Sequence, residues 1–253
     1  MDVLVLAGTR QAKKLAERLV AEGVRVTSML FGTVAPRNEP PGTVLRGGFG
    51  GVDGLVEHLA RHPVDAVLDA THPFAQSLTV QAVRACRMAS TPYLRYSRTS
   101  WAERPDSSLW QWVDDHDQAC RAAGRHGAPA LLTVGAQPLW HYHLLPTPVV
   151  ARLREEPRSP LPADWRVVRD PGPFELAGEL RLMQDVQVLV CRDSGGTASS
   201  PKLDAAARLG IPVVMVRRPS LPGPEVFHRD EVVAWLASGG PGFTFGQSLS
   251  PGG

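Results

Sequence analysis

Short apolar runs alternate with stretches of helical spacing along most of the chain. Residues 3–7, 24–30, 64–70, 92–96, 130–134, 149–153, 186–191 and 212–216 read as strands, with residues 43–46 a shorter one. Unbroken apolar runs of this length, closed by Gly, Thr or Asp, suit strands buried on both faces of a parallel sheet. Between them, Ala12, Leu15, Ala16 and Leu19 recur at one-face spacing, so residues 11–22 predict a helix that Gly23 stops. The same reading predicts helices over 52–61, 75–88, 115–126, 175–185, 201–209 and 230–237. Residues 98–112, with Trp101, Trp110 and Trp112 among Pro, Asp and Ser, interrupt the rhythm. Residues 154–174 hold five prolines and are expected to form a long loop near the ligand.

Strands alternating with helices predict an α/β fold. Its two halves predict two Rossmann-like, doubly wound domains, mainly parallel, with a cleft between them. The expected division is 1–100 for the first domain, 101–128 for a connecting segment, 129–237 for the second domain and 238–253 for a disordered Gly/Pro/Ser tail. In such sheets ligands bind outside the carboxyl ends of the strands. The positions to inspect are therefore Gly8-Thr9-Arg10-Gln11, Thr71-His72, Gly135, Arg192 to Gly196, and Arg217-Arg218.

Composition narrows the partners. With 27 Lys+Arg against 25 Asp+Glu, the formal charge of +2 supplies no field for nucleic acid. The bases are nearly all Arg, the side chain suited to bidentate recognition of carboxylate or phosphate, although GC-rich coding produces the same bias. Three scattered cysteines, Cys86, Cys120 and Cys191, exclude a disulfide scaffold and a thiolate zinc site and fit a reducing compartment. No apolar run reaches the ~18–20 residues that span a bilayer, and no basic leader precedes the first strand, so a cytoplasmic protein with no membrane partner is expected.

Gly8-Thr9-Arg10-Gln11 joins a strand to a helix and reads either as a phosphate-binding turn, through helix N-terminal amides, or as a plain tight turn. The second strand ends at Thr27-Ser28-Met29 without the carboxylate that grips the ribose in NAD sites, and Arg37 lies beyond, so if a dinucleotide binds at this turn, NADP fits better than NAD. In Asp69-Ala70-Thr71-His72-Pro73-Phe74-Ala75 a hydroxyl and an imidazole stand before a helix, with Thr71 either facing ligand or capping that helix. Arg192-Asp193-Ser194-Gly195-Gly196 followed by Lys202 is an anion-binding pattern, with Arg217, Arg218, Arg95 and Arg98 as further cations at strand ends. His141 and His143, at i and i+2 on a presumed strand, point to opposite faces without a third ligand, so no metal is expected. Neither a nucleophile elbow nor a paired catalytic carboxylate is present, and hydride transfer needs neither.

Together, Leu6-Ala7-Gly8-Thr9, the Asp69–Ala75 motif, Tyr93-Leu94-Arg95-Tyr96-Ser97-Arg98 with Trp101, Gly172-Pro173-Phe174, Asp193-Ser194-Gly195-Gly196, Lys202-Leu203-Asp204-Ala205-Ala206 and the run from Ile211 to Pro219 resemble the precorrin-6A reductase family of cobalamin biosynthesis. The resemblance spans residues 2–237. It implies NADPH-dependent reduction of one double bond of precorrin-6A, or of its cobalt form, to precorrin-6B. It also implies a tetrapyrrole polycarboxylate as partner, bound with the nucleotide in the cleft. On that basis Gly8, Thr9, Arg10, Gln11, Thr71, Gly135, Ser194, Gly195, Gly196 and Lys202 are expected at the cofactor. Arg95, Arg98, Trp101, Arg192, Arg217 and Arg218 are expected at the substrate, and His72 near the reacting edge. The family carries Gly-Gly-Thr with a following Glu where this chain has Ala7-Gly8-Thr9 and Gln11. A nucleotide-sugar transferase and a non-catalytic two-domain anion binder are the competing classes, and nothing in the chain fixes the oligomeric state.

Overall fold

The computed structural model describes residues 1–31, 39–127, 129–154, 156–157 and 159–240. Arg37 and the tail from residue 241 onward lie outside the described residues. The chain divides into two compact units, Met1–Arg98 with Ser220–Gly253, and Thr99–Pro219.

The first unit is built on β1 (Asp2–Ala7), α1 (Arg10–Ala21), β2 (Arg25–Leu30), β3 (Thr43–Arg46), α2 (Val52–Arg61), β4 (Ala66–Asp69), α3 (Gln76–Met88) and β5 (Tyr93–Tyr96). The second takes β6 (Gln111–Val113), α4 (His116–Ala123), β7 (Ala130–Thr133), β8 (Val149–Leu153), β9 (Arg166–Arg169), α5 (Leu176–Leu182), β10 (Val188–Arg192), α6 (Pro201–Leu209) and β11 (Val213–Val216). The chain then returns to the first unit with β12 (Glu225–Val226) and α7 (Arg229–Ala237).

Each unit holds a six-stranded sheet, in the orders β12-β5-β4-β1-β2-β3 and β6-β11-β10-β7-β8-β9. Every pairing is parallel. Both sheets bury both faces, as parallel sheets must. In the first, Val3, Val5 and Ala7 face α1 and α7, while Leu4 and Leu6 face α2 and α3. In the second, Leu131, Leu189, Cys191 and Met215 pack with Met183, Leu203 and Ala206.

The expected boundaries therefore change at three places. Residues 101–128 do not connect two domains: Trp101 and Trp110 are buried in the second core, and β6 extends the second sheet alongside β11. Residues 220–237 do not close the second domain. There β12 pairs with β5, and Val232 and Leu236 on α7 join the first core. Within the expected loop at 154–174, Arg166–Arg169 forms β9 on the sheet edge, where exposure lets an Arg-flanked Val pair serve as a strand. Gln137–Tyr142 is a 3-10 turn, so the strand geometry assumed for His141 and His143 does not apply.

Candidate active site

In the first unit the strand order reverses between β1 and β4, and the polar motifs lie just past the ends of β1, β4 and β5. Gly8 turns the chain at φ +124, a conformation that a side chain strains. Thr9 then caps α1: its hydroxyl accepts from the Ala12 amide at 3.0 Å and donates to the Ala70 carbonyl at 3.0 Å. With the hydroxyl committed to the loop after β4, the anion donors left at this turn are first-turn amides such as those of Arg10 and Gln11, which a helix cannot satisfy internally. Arg10 is exposed. The Gln11 side chain donates to the Ser97 carbonyl at 2.7 Å and accepts from Arg98 Nε at 3.2 Å, so it ties α1 to the segment after β5. A Glu could accept from Arg98 but could not donate to Ser97.

Asp69 organises the β4 end. Fully buried, it accepts from the Thr71 amide (3.0 Å) and from the hydroxyls of Thr71 (2.7 Å), Thr79 (2.6 Å) and Tyr93 (2.9 Å). Burial and the Asp69 charge drive the Tyr93 phenol far above its ordinary range, so it stays a donor. Thr71 thus braces the loop and does not cap α3, which starts at Gln76 after Ala75 with no side-chain cap. His72 accepts from the Phe74 amide at Nδ1 (3.2 Å), which assigns the proton of the neutral ring to Nε2. Arg95, expected at the substrate, is buried and ion-paired with Glu225 on β12 (3.2 Å), so its charge serves the sheet edge.

The corresponding reversal in the second unit lies between β7 and β10. Gly135 follows β7 at φ +85, and a Cβ there would meet Arg192 Nη2 at 3.0 Å. Burial brings the Arg192 guanidinium down to about 10. Asp193 is also buried. It accepts from the Ser100 hydroxyl (2.5 Å) and the Trp101 amide (2.9 Å) and pairs with Arg218 Nε (3.0 Å), which also donates to the Asp193 carbonyl (2.9 Å). The Trp101 indole donates to the Gly196 carbonyl at 2.8 Å, and the Gly196 amide donates to Thr99 at 3.2 Å. Trp101 and Arg218, expected at the substrate, are therefore the frame that holds the Ser194-Gly195-Gly196 loop. Arg217 instead lies over the Trp112 ring at 5.1 Å and pairs with Asp114 at 3.4 Å, on the surface beside β6.

Lys202, in the first turn of α6, is 3% exposed; its ammonium donates to Thr133 Oγ1 (3.1 Å) and lies 5.1 Å from the Trp101 ring. Burial lowers it to about 8. Arg152 on β8, close enough to depress Lys202 further, pairs with the buried Glu179 and lies over the Phe174 ring at 4.2 Å. Beside Arg192, His116 Nδ1 meets the buried Tyr142 hydroxyl at 2.8 Å. Desolvation first, and then the Arg192 charge, hold that imidazole near 4.

Sequence reasoning missed this Arg152–Glu179 pair and the His116–Tyr142 pair, because each joins positions distant in the chain. It also passed over Gly47-Gly48-Phe49-Gly50-Gly51, whose signal, four glycines between a strand and a helix, was visible. Among the described residues no His/Cys/Asp/Glu group could hold a metal ion, and no helix is long and apolar enough to cross a membrane.

Comparisons with known proteins identify the family and the fold. The family model for precorrin-6x reductase CbiJ/CobK matches residues 2–237. A precorrin-6A reductase of Rhodococcus erythropolis is 38% identical over 243 residues, covering 93% of this chain and 97% of the relative. One from Rhodobacter capsulatus is 36% identical over 244 residues, covering 94% and 96%. The solved structure of a CobK precorrin-6A reductase superposes with a TM-score of 0.86 at 33% identity, covering 95% of this chain and 97% of the other. A two-sheet parallel fold, the reductase motifs at its strand ends and a match along nearly the whole chain lead to one assignment: this chain belongs to the precorrin-6x reductase family, the macrocycle reductases of cobalamin biosynthesis.

Proposed function

We propose that the protein reduces one double bond of metal-free precorrin-6A with NADPH, yielding precorrin-6B. Family membership implies a nicotinamide cofactor, and the relatives described above are named for precorrin-6A without cobalt. The observation that carries the reading is the contrast between the two strand-order reversals. After β1 the chain enters a twelve-residue helix, whose N-terminal amides and dipole suit a diphosphate. After β7 it enters only a six-residue 3-10 turn, beside a buried guanidinium. The first unit accordingly holds the nucleotide, through the amides of Gly8 to Gln11, with Thr9 shaping the turn and Thr71 bracing the neighbouring loop. The end of β2, Met29-Leu30, carries no carboxylate to repel a 2′-phosphate.

The second unit holds macrocycle carboxylates, with Arg192 and the Ser194-Gly195-Gly196 loop as donors and Gly135 giving Arg192 room. Lys202 supports that loop from beneath, through Thr133 and Trp101. Arg98 adds a cation at the end of β5. The reduced nicotinamide supplies the hydride when bound. A proton must reach the adjacent carbon, and His72 Nε2 is the group assigned to hold it, with water as its source on each turnover. Three reduced cysteines fit a cytoplasmic setting.

Anaerobic incubation with precorrin-6A tests the reading by following nicotinamide absorbance together with the macrocycle chromophore. Oxidation of NADPH matched one-to-one by a new chromophore is expected, with NADH at least about tenfold less effective in kcat/KM, a difference of about 1.4 kcal/mol. Equal use of NADH overturns the assignment of NADPH. Retention of wild-type turnover and pH profile by His72→Ala removes its proton role.

A further inference from the structure

Five of the six tryptophans are buried or half-buried, whereas Trp140, in the 3-10 turn that follows β7, is 64% exposed. A single apolar side chain at the surface calls for no explanation by itself. This one is held in place. One face of its indole lies on the His141 imidazole, with ring centroids 3.6 Å apart and planes inclined by 27°. His141 is fixed in turn by the Asp117 carboxylate, 2.6 Å from its Nδ1. Behind it stands His116, with centroids 5.4 Å apart, and His116 Nδ1 meets the Tyr142 hydroxyl at 2.8 Å. Pro138, Leu139 and Tyr142 bury the inner side of the turn. The indole is thereby a rigid ring with its second face open to solvent. We propose that this face is the platform on which the conjugated ring of a flat polycarboxylate, the macrocycle substrate, rests.

The fold puts the platform where such a ligand binds. β7 and β10 flank the reversal of strand order in the second sheet; Trp140 and His141 follow β7, and Arg192 ends β10. His116 and Asp117 open α4, just past the end of β6. All of them therefore stand at the carboxyl edge of one sheet, the edge that takes ligands. Desolvation and then the nearby Arg192 charge hold His116 near 4, so that ring is uncharged at pH 7. The order of these groups selects the ligand. An indole face carries negative potential and repels an anion set upon it, but it attracts another conjugated ring in offset stacking. The carboxylates must then hang from the rim of the ligand, within reach of a guanidinium, while its ring lies on Trp140. A conjugated macrocycle with carboxylates around its edge has that arrangement; a free phosphate or an aliphatic acid has nothing to stack. Because His141 and Asp117 hold the indole beforehand, it loses little freedom when the ligand arrives. The inference rests on the substrate reading above and adds which side chain takes the ring.

Anaerobic titration of the full chain with precorrin-6A, without NADPH, tests it through the macrocycle absorbance. Trp140→Ala is expected to bind about tenfold more weakly than wild type, and Trp140→Phe, which keeps a smaller ring, about threefold. Asp117→Ala, which releases His141, is expected to lose about threefold as well. In steady-state kinetics the KM for precorrin-6A should move by the same factors, with the KM for NADPH within about twofold of wild type. Far-UV circular dichroism checks folding, and Trp140→Phe carries the test if Trp140→Ala is misfolded. Wild-type affinity for precorrin-6A in the folded variant overturns the platform. So does a loss shared equally with NADPH, or one confined to NADPH, which makes the indole a nucleotide contact. Wild type that binds no precorrin-6A overturns the substrate reading itself.

Discussion

Asp69 and Asp193 stand at the same place in the two sheets, at the end of the strand beside the reversal of strand order. Both carboxylates are buried, and both organise the loop that follows. Their partners differ in kind. Asp69 collects three hydroxyls and one amide, all neutral. Asp193 collects a hydroxyl and an amide but also the Arg218 guanidinium. Hydroxyls can turn to accept as readily as they donate, whereas a guanidinium only donates. The first network therefore tolerates a change in its acceptor that the second does not. Burial in the second unit is also more highly charged, since Arg152, Glu179, Arg192 and Lys202 all sit around its strand ends.

The sharpest way to break this comparison is to replace each carboxylate by its amide. Asp69→Asn is expected to cost about 1–2 kcal/mol of unfolding free energy, because the hydroxyls reorient. Asp193→Asn is expected to cost about 3–5 kcal/mol, because it removes the buried carboxylate charge that pairs with the Arg218 guanidinium at 3.0 Å. Urea unfolding of both variants measures the difference, and the reverse order defeats the argument.

A second test uses pH. The folded-state value of Lys202 is lowered to about 8 from 10.5, so the unfolded chain binds the extra proton between those values. The ammonium therefore penalises the folded state below pH 8, and the penalty is relieved as the pH rises through that window. The stability of wild type relative to Lys202→Met should rise by about 3 kcal/mol between pH 7 and 10.5, as read from paired urea curves. A flat difference would mean the lysine is well solvated.

The smallest expected effect separates the two turns. Gly8→Ala and Gly135→Ala each force a side chain into a positive-φ position, a strain of about 1–2 kcal/mol. Gly8→Ala should raise the KM for NADPH about tenfold and leave that of the macrocycle near wild type, whereas Gly135→Ala, by displacing Arg192, should do the opposite. Steady-state kinetics with each substrate varied in turn reads the split, and a shared effect on both KM values merges the two sites.

Much of the architecture was legible because inner strands carry unbroken apolar runs and helices one-face spacing: the strand at 149–153 and the helices at 52–61 and 201–209 matched residue for residue, as did the edge strand at 43–46. What escaped were the other three edge strands. Arg166–Arg169, Glu225–Val226 and Gln111–Val113 are short and partly exposed, so burial imposes little pattern on them, and their membership is decided by which sheet edge is vacant. The site divided along similar lines. Turns at strand ends could be located from the strands alone. Whether Arg95 or Trp101 faces a ligand or a neighbour depended on Glu225 and Gly196, more than ninety residues away.

The crossing of β12 and α7 back to the first sheet bears on synthesis. A ribosome delivers the first five strands of that sheet long before the peptide that finishes it, with the entire second unit made in between. Until then Tyr93–Tyr96 is a raw border, and the hydrophobic side later sheltered by Val232 and Leu236 is bare. The nascent first half must wait, or be guarded, until the second unit has been made, and cutting the gene at residue 98 would yield a fragment whose sheet lacks its last strand and helix.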